Sequence, residues 1–339
     1  MDTLKFIIKR IFYLLILLLG VATIVFVLTR LVPTDPVAAN LSQRNLNNEE
    51  MVNAFRAKWG LDKPVWQQYL IYLKGLLQLD FGTSIRTGKP VLSELKRCFP
   101  ATLELSIFAI IFASVVGILF GVISALKRNS VIDQIVRGVS VAGVSVPTFW
   151  LALLLLYLFY YKLGIAPGTG RISSYFKPPE TVTGLYVIDA LIEGNIYKAI
   201  DCLGHLVLPG IVLGSFTMGL ITSTTRSNLL EVMSTDYIRT AKAKGMARVR
   251  LILHHAMGNA LIPVLTVIGL GLGNLLGGTV LVETIFTWPG VGQFAYESVL
   301  KLDSPGIIGV AILIAFNYGV INTLIDILYG VIDPRVRSK

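Results

Sequence analysis

The chain has 339 residues, of which 54% are hydrophobic and 15% charged, yet its formal net charge is +10. An ordinary soluble domain carries about 25% charged residues, a disordered chain has too few apolar ones, and a disulfide scaffold needs more than two cysteines. Nucleic-acid binding would explain the charge but not a mean hydropathy of +0.71, which leaves an integral membrane protein, and the continuous apolar runs that follow make it all-α.

Six apolar stretches reach the length of about 20 residues that a bilayer core of about 30 Å demands: 11–29, 101–126, 138–161, 203–225, 261–282 and 307–332. They are continuously apolar rather than alternating, which predicts six transmembrane helices and not a barrel. The first follows Lys5, Lys9 and Arg10 and runs for 19 residues with no small-x-small cleavage pattern, so it is expected to stay as a signal anchor.

Segment 32–100 is of mixed polarity. Stretches 45–60 and 64–79 both look partly helical. In the second, Trp66, Tyr69, Tyr72 and Leu76 or Leu77 share one face. Three roles remain open for that face: lying on the outer membrane surface, packing over helix ends, or meeting an extracytoplasmic partner. The second span carries Glu104 near its start, where a plain interface role suffices. The third carries Pro147, which predicts a kink. Segments 163–202 and 283–306 are rich in Gly and Pro and read as loops. Cys98 and Cys202 fall near the outer ends of spans two and four, as a disulfide or as two buried thiols.

Gly269, Gly273 and Gly277 fall four apart on one face of the fifth span, which favours close helix–helix contact. A dinucleotide loop is excluded there, because Leu276 stands where a third glycine is needed. Polar groups at membrane depth usually face the bundle interior. Ser215 and Thr217 on span four, and Asn317, Asn322 and Asp326 on span six, are therefore candidates for lining a pathway or for clamping helices together. His254 and His255 are neighbours whose side chains diverge by about 100° on a helix, so they form no metal pair. No catalytic constellation and no cofactor or metal site stands out.

With the basic N-terminus inside, both termini are cytoplasmic. The cytoplasmic pieces are then 1–10, 127–137, 226–260 and 333–339, which hold 15 Lys+Arg against 5 Asp+Glu. The whole excess of +10 lies on that face, as the positive-inside rule requires. The chain divides into 1–31 (N-terminus and first span), 32–100 (extracytoplasmic), 101–332 (core spans, including the 226–260 loop) and a tail, 333–339.

The 226–260 loop specifies a short exposed helix. Ser234 or Thr235 stands at the cap position, and Asp236 sits in the first turn. Lys242 and Lys244 sit near the end, and Gly245 is placed to stop the helix in a left-handed conformation. One reading is a juxtamembrane helix on anionic lipid, held by Arg239, Lys242, Lys244, Arg248 and Arg250. The other is a helix that slots into a groove of another protein, for which Ala241 and Ala243 leave a low surface.

Thr240-Ala241-Lys242-Ala243-Lys244-Gly245, followed by His255-Ala256, Asn259-Ala260 and Ile262-Pro263, resembles the EAA loop of bacterial ABC-importer permeases. More narrowly, the chain resembles the first permease subunit of the dipeptide/oligopeptide/nickel importers over almost its whole length. The matching stretches include Leu31-Val32-Pro33-Thr34-Asp35-Pro36, Gly60-Leu61-Asp62-Lys63-Pro64, Asp80-Phe81-Gly82-Thr83-Ser84, Ser145-Val146-Pro147-Thr148-Phe149-Trp150, the 282–292 junction around Trp288-Pro289-Gly290, and Asp333-Pro334-Arg335. It departs at Thr34, where the group has Gly, at Lys242, where Arg is more usual, and in lacking the Glu-Ala-Ala opening.

The resemblance implies a type I ABC-importer permease fold. It implies a coupling helix carried by Asp236, Tyr237, Arg239, Thr240, Ala241, Lys242, Ala243, Lys244 and Gly245, supported by His255, Asn259 and Pro263. It implies partners: a second permease, two cytoplasmic ATPases that hold ATP and Mg, and an extracytoplasmic binding protein, all at the inner membrane of a prokaryote. The chain has no G-x-x-x-x-G-K-[ST] loop of its own, so it is expected to be no enzyme. Peptide is the expected cargo, with nickel, opines, glutathione and oligosaccharides as alternatives in the same machine. A secondary carrier acting alone would show internal repeats, and a membrane-embedded enzyme would show clustered His, Asp or Cys.

Overall fold

The computed structural model describes residues 2–31, 37, 48–58, 60, 62–277 and 280–332. Thr34, most of the 31–36 signature, the 333–339 tail and the side chain of Asp326 lie outside the described residues. Among the described residues there are helices and no strand, only an isolated bridge between Thr83 and Pro90.

Helix α1 (Asp2–Leu31) starts with a basic turn and is apolar from Ile11 to Thr29. Helix α2 (Glu49–Lys58) starts where the Asn48 carboxamide accepts from the amides of Glu50 and Met51, satisfying donors that a helix start leaves free. Helix α3 (Val65–Leu77) follows Pro64 and packs over α1. The Tyr69 and Tyr72 rings lie 5.2 and 5.6 Å from Phe26, and the Tyr69 hydroxyl is 2.7 Å from that of Thr23. Packing thus claims the tyrosines of the amphipathic face. Trp66, at 62% exposed, takes no part in it.

Helix α4 (Val91–Leu126) has 36 residues, about 54 Å at 1.5 Å per residue, and begins ten residues before its apolar run. Its buried face includes a run of small residues, Ala101, Ala109, Ala113, Gly117 and Gly121. Side chains of that size let the helix axes approach closely. The partner is α8 (Ile196–Met233), whose Ile221 and Thr225 fill the spaces above Gly117 and Gly121. In return, Gly210 and Gly214 of α8 admit Phe108 and Phe112 of α4. These two helices form the core of the bundle.

The third crossing differs from the expected kinked helix over 138–161. It consists of α5 (Val131–Ser145) and α6 (Thr148–Leu155), bent by 110°. A π-helical stretch, Leu156–Lys162, continues α6. Pro147 lacks an amide proton and forces the residue before it out of the helical region, so Val146 is extended at ψ 127° and α5 ends. The bent pair still serves as one candidate span. Its start lies at the end of α4 through Asp133 and Ser124, and the chain after it returns to the beginning of α4 through Arg171 and Glu104.

Helix α7 (Tyr186–Ile192) lies in the loop before α8. After α8 come the short α9 (Asp236–Ala243), a helical turn at Arg248–Arg250, a π-helical turn at Leu251–Ala256, and α10 (Met257–Gly277). Segment 283–306, read as loop, is largely helical instead: α11 (Val280–Ile285) and α12 (Val291–Leu300) fold across one end of the bundle before α13 (Ser304–Ile332) runs back. A Cβ added at Gly269, Gly273 or Gly277 would come within 2.6, 3.3 and 3.1 Å of Ile325, Tyr318 and Ile314. All three glycines therefore face α13, as their four-residue spacing predicts. Helix α1 packs on the other flank of α13, where Gly319 admits Leu14. Five described helices are long and apolar enough to cross a membrane, and the bent pair taken as one span makes six.

Candidate functional site: the 234–260 loop and its anchors

Helix α9 is held to the bundle mainly by Ile238, with Ala241 packed partly against the same cluster. Ile238 is buried with Leu229, Leu251, Ala256 and Ala260. Of the nine residues expected to form the coupling surface, only Ala241 turns partly inward; Asp236, Tyr237, Arg239, Thr240, Lys242, Ala243, Lys244 and Gly245 are exposed. The Arg239–Asp236 ion pair, at 3.2 Å, is open to water and contributes little.

The helix start differs from the simple cap. Thr235 has the extended backbone of a cap residue, but its hydroxyl turns back to donate to the Val232 carbonyl at 2.6 Å. Ser234 does the same to Glu231 at 2.7 Å. Both hydroxyls add a second bond to carbonyls at the end of α8, which already accept the amides of Ser234 and Thr235, instead of opening α9. The helix end matches the expectation. Gly245 sits at φ +77°, its amide donates to Lys242 at 3.0 Å, and the Met246 amide donates to Ala241 at 3.4 Å. That pair of bonds is the Schellman arrangement, which needs a left-handed residue at the glycine position.

Two of the three expected supporting residues meet α9 through one hydroxyl. Asn259 Nδ2 donates to Tyr237 Oη at 2.8 Å, and Tyr237 Oη lies 3.5 Å from the His255 carbonyl. Pro263 is exposed on α10, one turn beyond Asn259.

The end of α8 is fixed by a cluster that sequence reasoning missed. Arg226 donates through Nε and Nη2 to the two oxygens of Asp133, at 2.8 and 2.9 Å. Asp133 is fully buried and also accepts from the Ser124 hydroxyl and, at 3.0 Å, from the Asn129 amide. One carboxylate thus ties α4, the turn before α5, and α8 together, ten residues before α9 begins. Only the acid near Ser130 at a helix start hinted at it.

A second cluster closes the opposite end of the bundle. Arg171 pairs with Glu104 at 2.5 Å, both nearly buried. Its guanidinium also donates to the Gly184 carbonyl at 3.0 Å and stacks 3.6 Å from the Tyr186 ring. Glu104 is therefore an ion-pair anchor, not a plain interface residue. Beside it Trp288 Nε1 donates to the Ala101 carbonyl at 2.8 Å, and Thr102 donates to Glu283 at 2.6 Å. Ser84 and the Ile85 amide donate to Asp303, docking the 80–90 turn on the start of α13. In the adjoining loop, burial opposes ionisation of Asp189. Bonds from the Thr183 hydroxyl and the amides of Thr183 and Gly184 nevertheless hold its pKa below the ordinary carboxylate value.

Ser215 and Thr217 are buried in the helix contacts around α8. Ser215 donates to its own helix at Ile211, and Thr217 lies beside Gly271. Asn317 and Asn322 are partly exposed on α13 and make no hydrogen bond among the described residues. Cys98 and Cys202 are buried free thiols. Ser173, Asp201 and His205 meet, with Ser173 Oγ 2.6 Å from Asp201 and 3.2 Å from His205 Nε2. They are not a nucleophilic triad, because the carboxylate accepts from the serine itself and leaves His205 Nδ1 unpaired.

Up to six apolar spans, with a small exposed helix after the fourth, define a multi-pass membrane protein. A family model described as "Binding-protein-dependent transport system inner membrane component" matches residues 117–338. A second, for the N-terminal part of such components, matches 3–106. The "Probable D,D-dipeptide transport system permease protein DdpB" of Escherichia coli (strain K12) is 43% identical over 328 residues, 97% of this chain and 96% of its own. The "Dipeptide transport system permease protein DppB" of the same strain is 40% identical over 338 residues, 99% of each chain. The "Di/tripeptide transport system permease protein DppB" of Pseudomonas aeruginosa is 43% identical over 336 residues, 99% of each. A solved structure titled "Inward facing conformations of the MetNI methionine ABC transporter" shares the fold, with a TM-score of 0.50 over 70% of this chain and 97% of that one, at 15% identity. The chain belongs to the family of binding-protein-dependent inner membrane components, the permeases of ABC importers. Members of this family act in a membrane complex with other components of the importer.

Proposed function

We propose that this permease forms half of the transmembrane path of a di- or oligopeptide importer, with both termini and the 234–260 loop in the cytoplasm. The peptide assignment is supported by relatives named as dipeptide and di/tripeptide permeases at 40% identity or above. The orientation is supported by the 15 basic residues against 5 acidic in the sequence of 1–10, 127–137, 226–260 and 333–339. In this reading a second permease completes the path, and an extracytoplasmic binding protein delivers the peptide. Two ATPase subunits hold ATP and Mg and carry out hydrolysis.

The single observation behind the mechanical role is α9 itself: eight residues, exposed on all but one face, stopped by a Schellman turn and tied to the bundle at Ile238 and Tyr237. Closure of the ATPases displaces α9. The Tyr237–Asn259 bond passes that displacement to the start of α10. The Arg226–Asp133 pair makes the end of α8 move together with α4 and α5. Helices joined in this way shift as rigid bodies between two packed states.

The test is uptake by the importer reconstituted with its partners. Labelled dipeptide should accumulate in an ATP-dependent manner, and nickel or an oligosaccharide should not. ATP-driven accumulation of only the metal or the sugar overturns the peptide assignment; transport by this chain without ATPases overturns the importer reading.

A further inference from the structure

A cavity of about 710 Å³ opens between α1, α3, α4 and α13. Its walls are hydrocarbon: Leu18 and Ala22 of α1, Leu73 and Leu76 of α3, and Phe316 of α13 are typical. One lining side chain is charged, Lys96 of α4. It is exposed and has no ion-pair or hydrogen-bond partner among the described residues, whereas its neighbour Arg97 is engaged by Glu94 at 2.7 Å. No lining residue is acidic.

The charge and the apolar walls lie at different depths. Lys96 stands before the apolar run of α4, which opens at Ala101, at the level where that helix leaves the membrane core. Leu18 lies near the middle of the apolar span of α1. In the proposed orientation the ammonium therefore sits among the outer-leaflet headgroups, with the apolar space extending below it. The cavity also lies where protein contact is scarce. Only 11% of the apolar core of α1 is buried against the rest of the chain, compared with 72% for α8.

We propose that this cavity is a phospholipid site, with the phosphodiester on Lys96 and one acyl chain filling the space between α1, α3 and α13. The occupant follows from the cavity's own pattern, a lone cation at headgroup depth over a wall of leucines. An acyl chain gains little by leaving one hydrocarbon surrounding for another, so retention rests on the charge contact and on shape. The lipid acts as a filler that ties α1 to the bundle. The choice of leaflet rests on the orientation proposed above; the site itself does not.

The importer complex is purified in detergent, and bound phospholipid is counted by native mass spectrometry. About one retained phospholipid per copy of this chain is expected, falling several-fold in Lys96→Gln and in Leu76→Trp, which fills the space. Lys96→Gln alters an exposed side chain, so it reports even if Leu76→Trp fails to fold. Reloading the stripped complex from vesicles of phosphatidylethanolamine or of phosphatidylglycerol separates the sources. Binding of either one by wild type, lost in Lys96→Gln, supports a phosphate contact. Equal retention in wild type and both variants overturns the proposal, as does capture of a second protein, rather than lipid, by a photo-cross-linker at Leu73. Retention is read without transport, so its failure leaves the importer reading standing, and failed uptake leaves the lipid site standing.

Discussion

Replacing Gly245 tests the coupling helix at its weakest point. The residue sits at φ +77°, and a Cβ placed there meets nothing within 4 Å. No steric contact obscures the result, so the penalty is that of the left-handed backbone alone, about 1–2 kcal/mol for an L residue and larger for a β-branched one. Helix α9 has eight residues, below the roughly 12–15 that an isolated helix needs, and its end is closed by the Gly245 and Met246 amides. A strain of that size lowers the population of the closed end by a factor of roughly 5–30. The assay is peptide uptake per ATP hydrolysed by the reconstituted importer. Gly245→Asn, which tolerates this conformation, should stay near wild type; Gly245→Ala should lose part of the ratio, and Gly245→Val most of it. A well-expressed Gly245→Val complex with an unchanged ratio refutes the assignment of α9 as the element that needs this stop.

Asp133→Asn leaves Arg226 facing a neutral group in a buried site and should cost about 3–5 kcal/mol, read as a lowered melting temperature; pairing it with Arg226→Met should restore part of that loss. Gly290→Ala pushes a methyl group into the Glu283 carboxylate and the Thr102 hydroxyl. It should destabilise the turn by about 1–3 kcal/mol and raise protease cleavage in 286–303 without altering cleavage in the 234–250 loop. Asp189 has a lowered pKa in the fold. Its contribution is therefore complete above the unfolded value of about 3.9 and disappears as pH falls through the lower folded one. Hydrogen exchange at Gly184 should stay slow from about pH 7 to about pH 5, and Asp189→Asn should speed it at both; a loss of protection by wild type within that range contradicts the sign.

Short-range periodicity and turn chemistry carried much of the fold. Gly269, Gly273 and Gly277 announced their helix contact because spacing by four puts them on one face, and Gly245 announced a helix stop because few residues adopt its φ. Segment 65–77 displayed its tyrosine face for the same reason. What remained hidden was pairing across distance. Nothing near Glu104 points to Arg171, 67 residues away, and nothing near Asp133 points to Arg226, 93 residues away. Such pairs form only once helices cross. Pro147 foretold a kink but not a break of 110°, because packing of α5 and α6 against their neighbours sets the angle. Thr235 looked like a cap, yet the carbonyls ending α8 competed successfully for its hydroxyl.

The most direct measurement is a photo-cross-linker placed at Lys242 in the intact importer in membranes, with one at Trp66 as control. Lys242 is exposed on α9, and Trp66 lies on α3, packed over the opposite end of α1. An ATPase subunit captured from position 242 and not from position 66 is the predicted result. Capture of lipid alone from position 242, in a complex that still contains its ATPases, would contradict a docking role for α9.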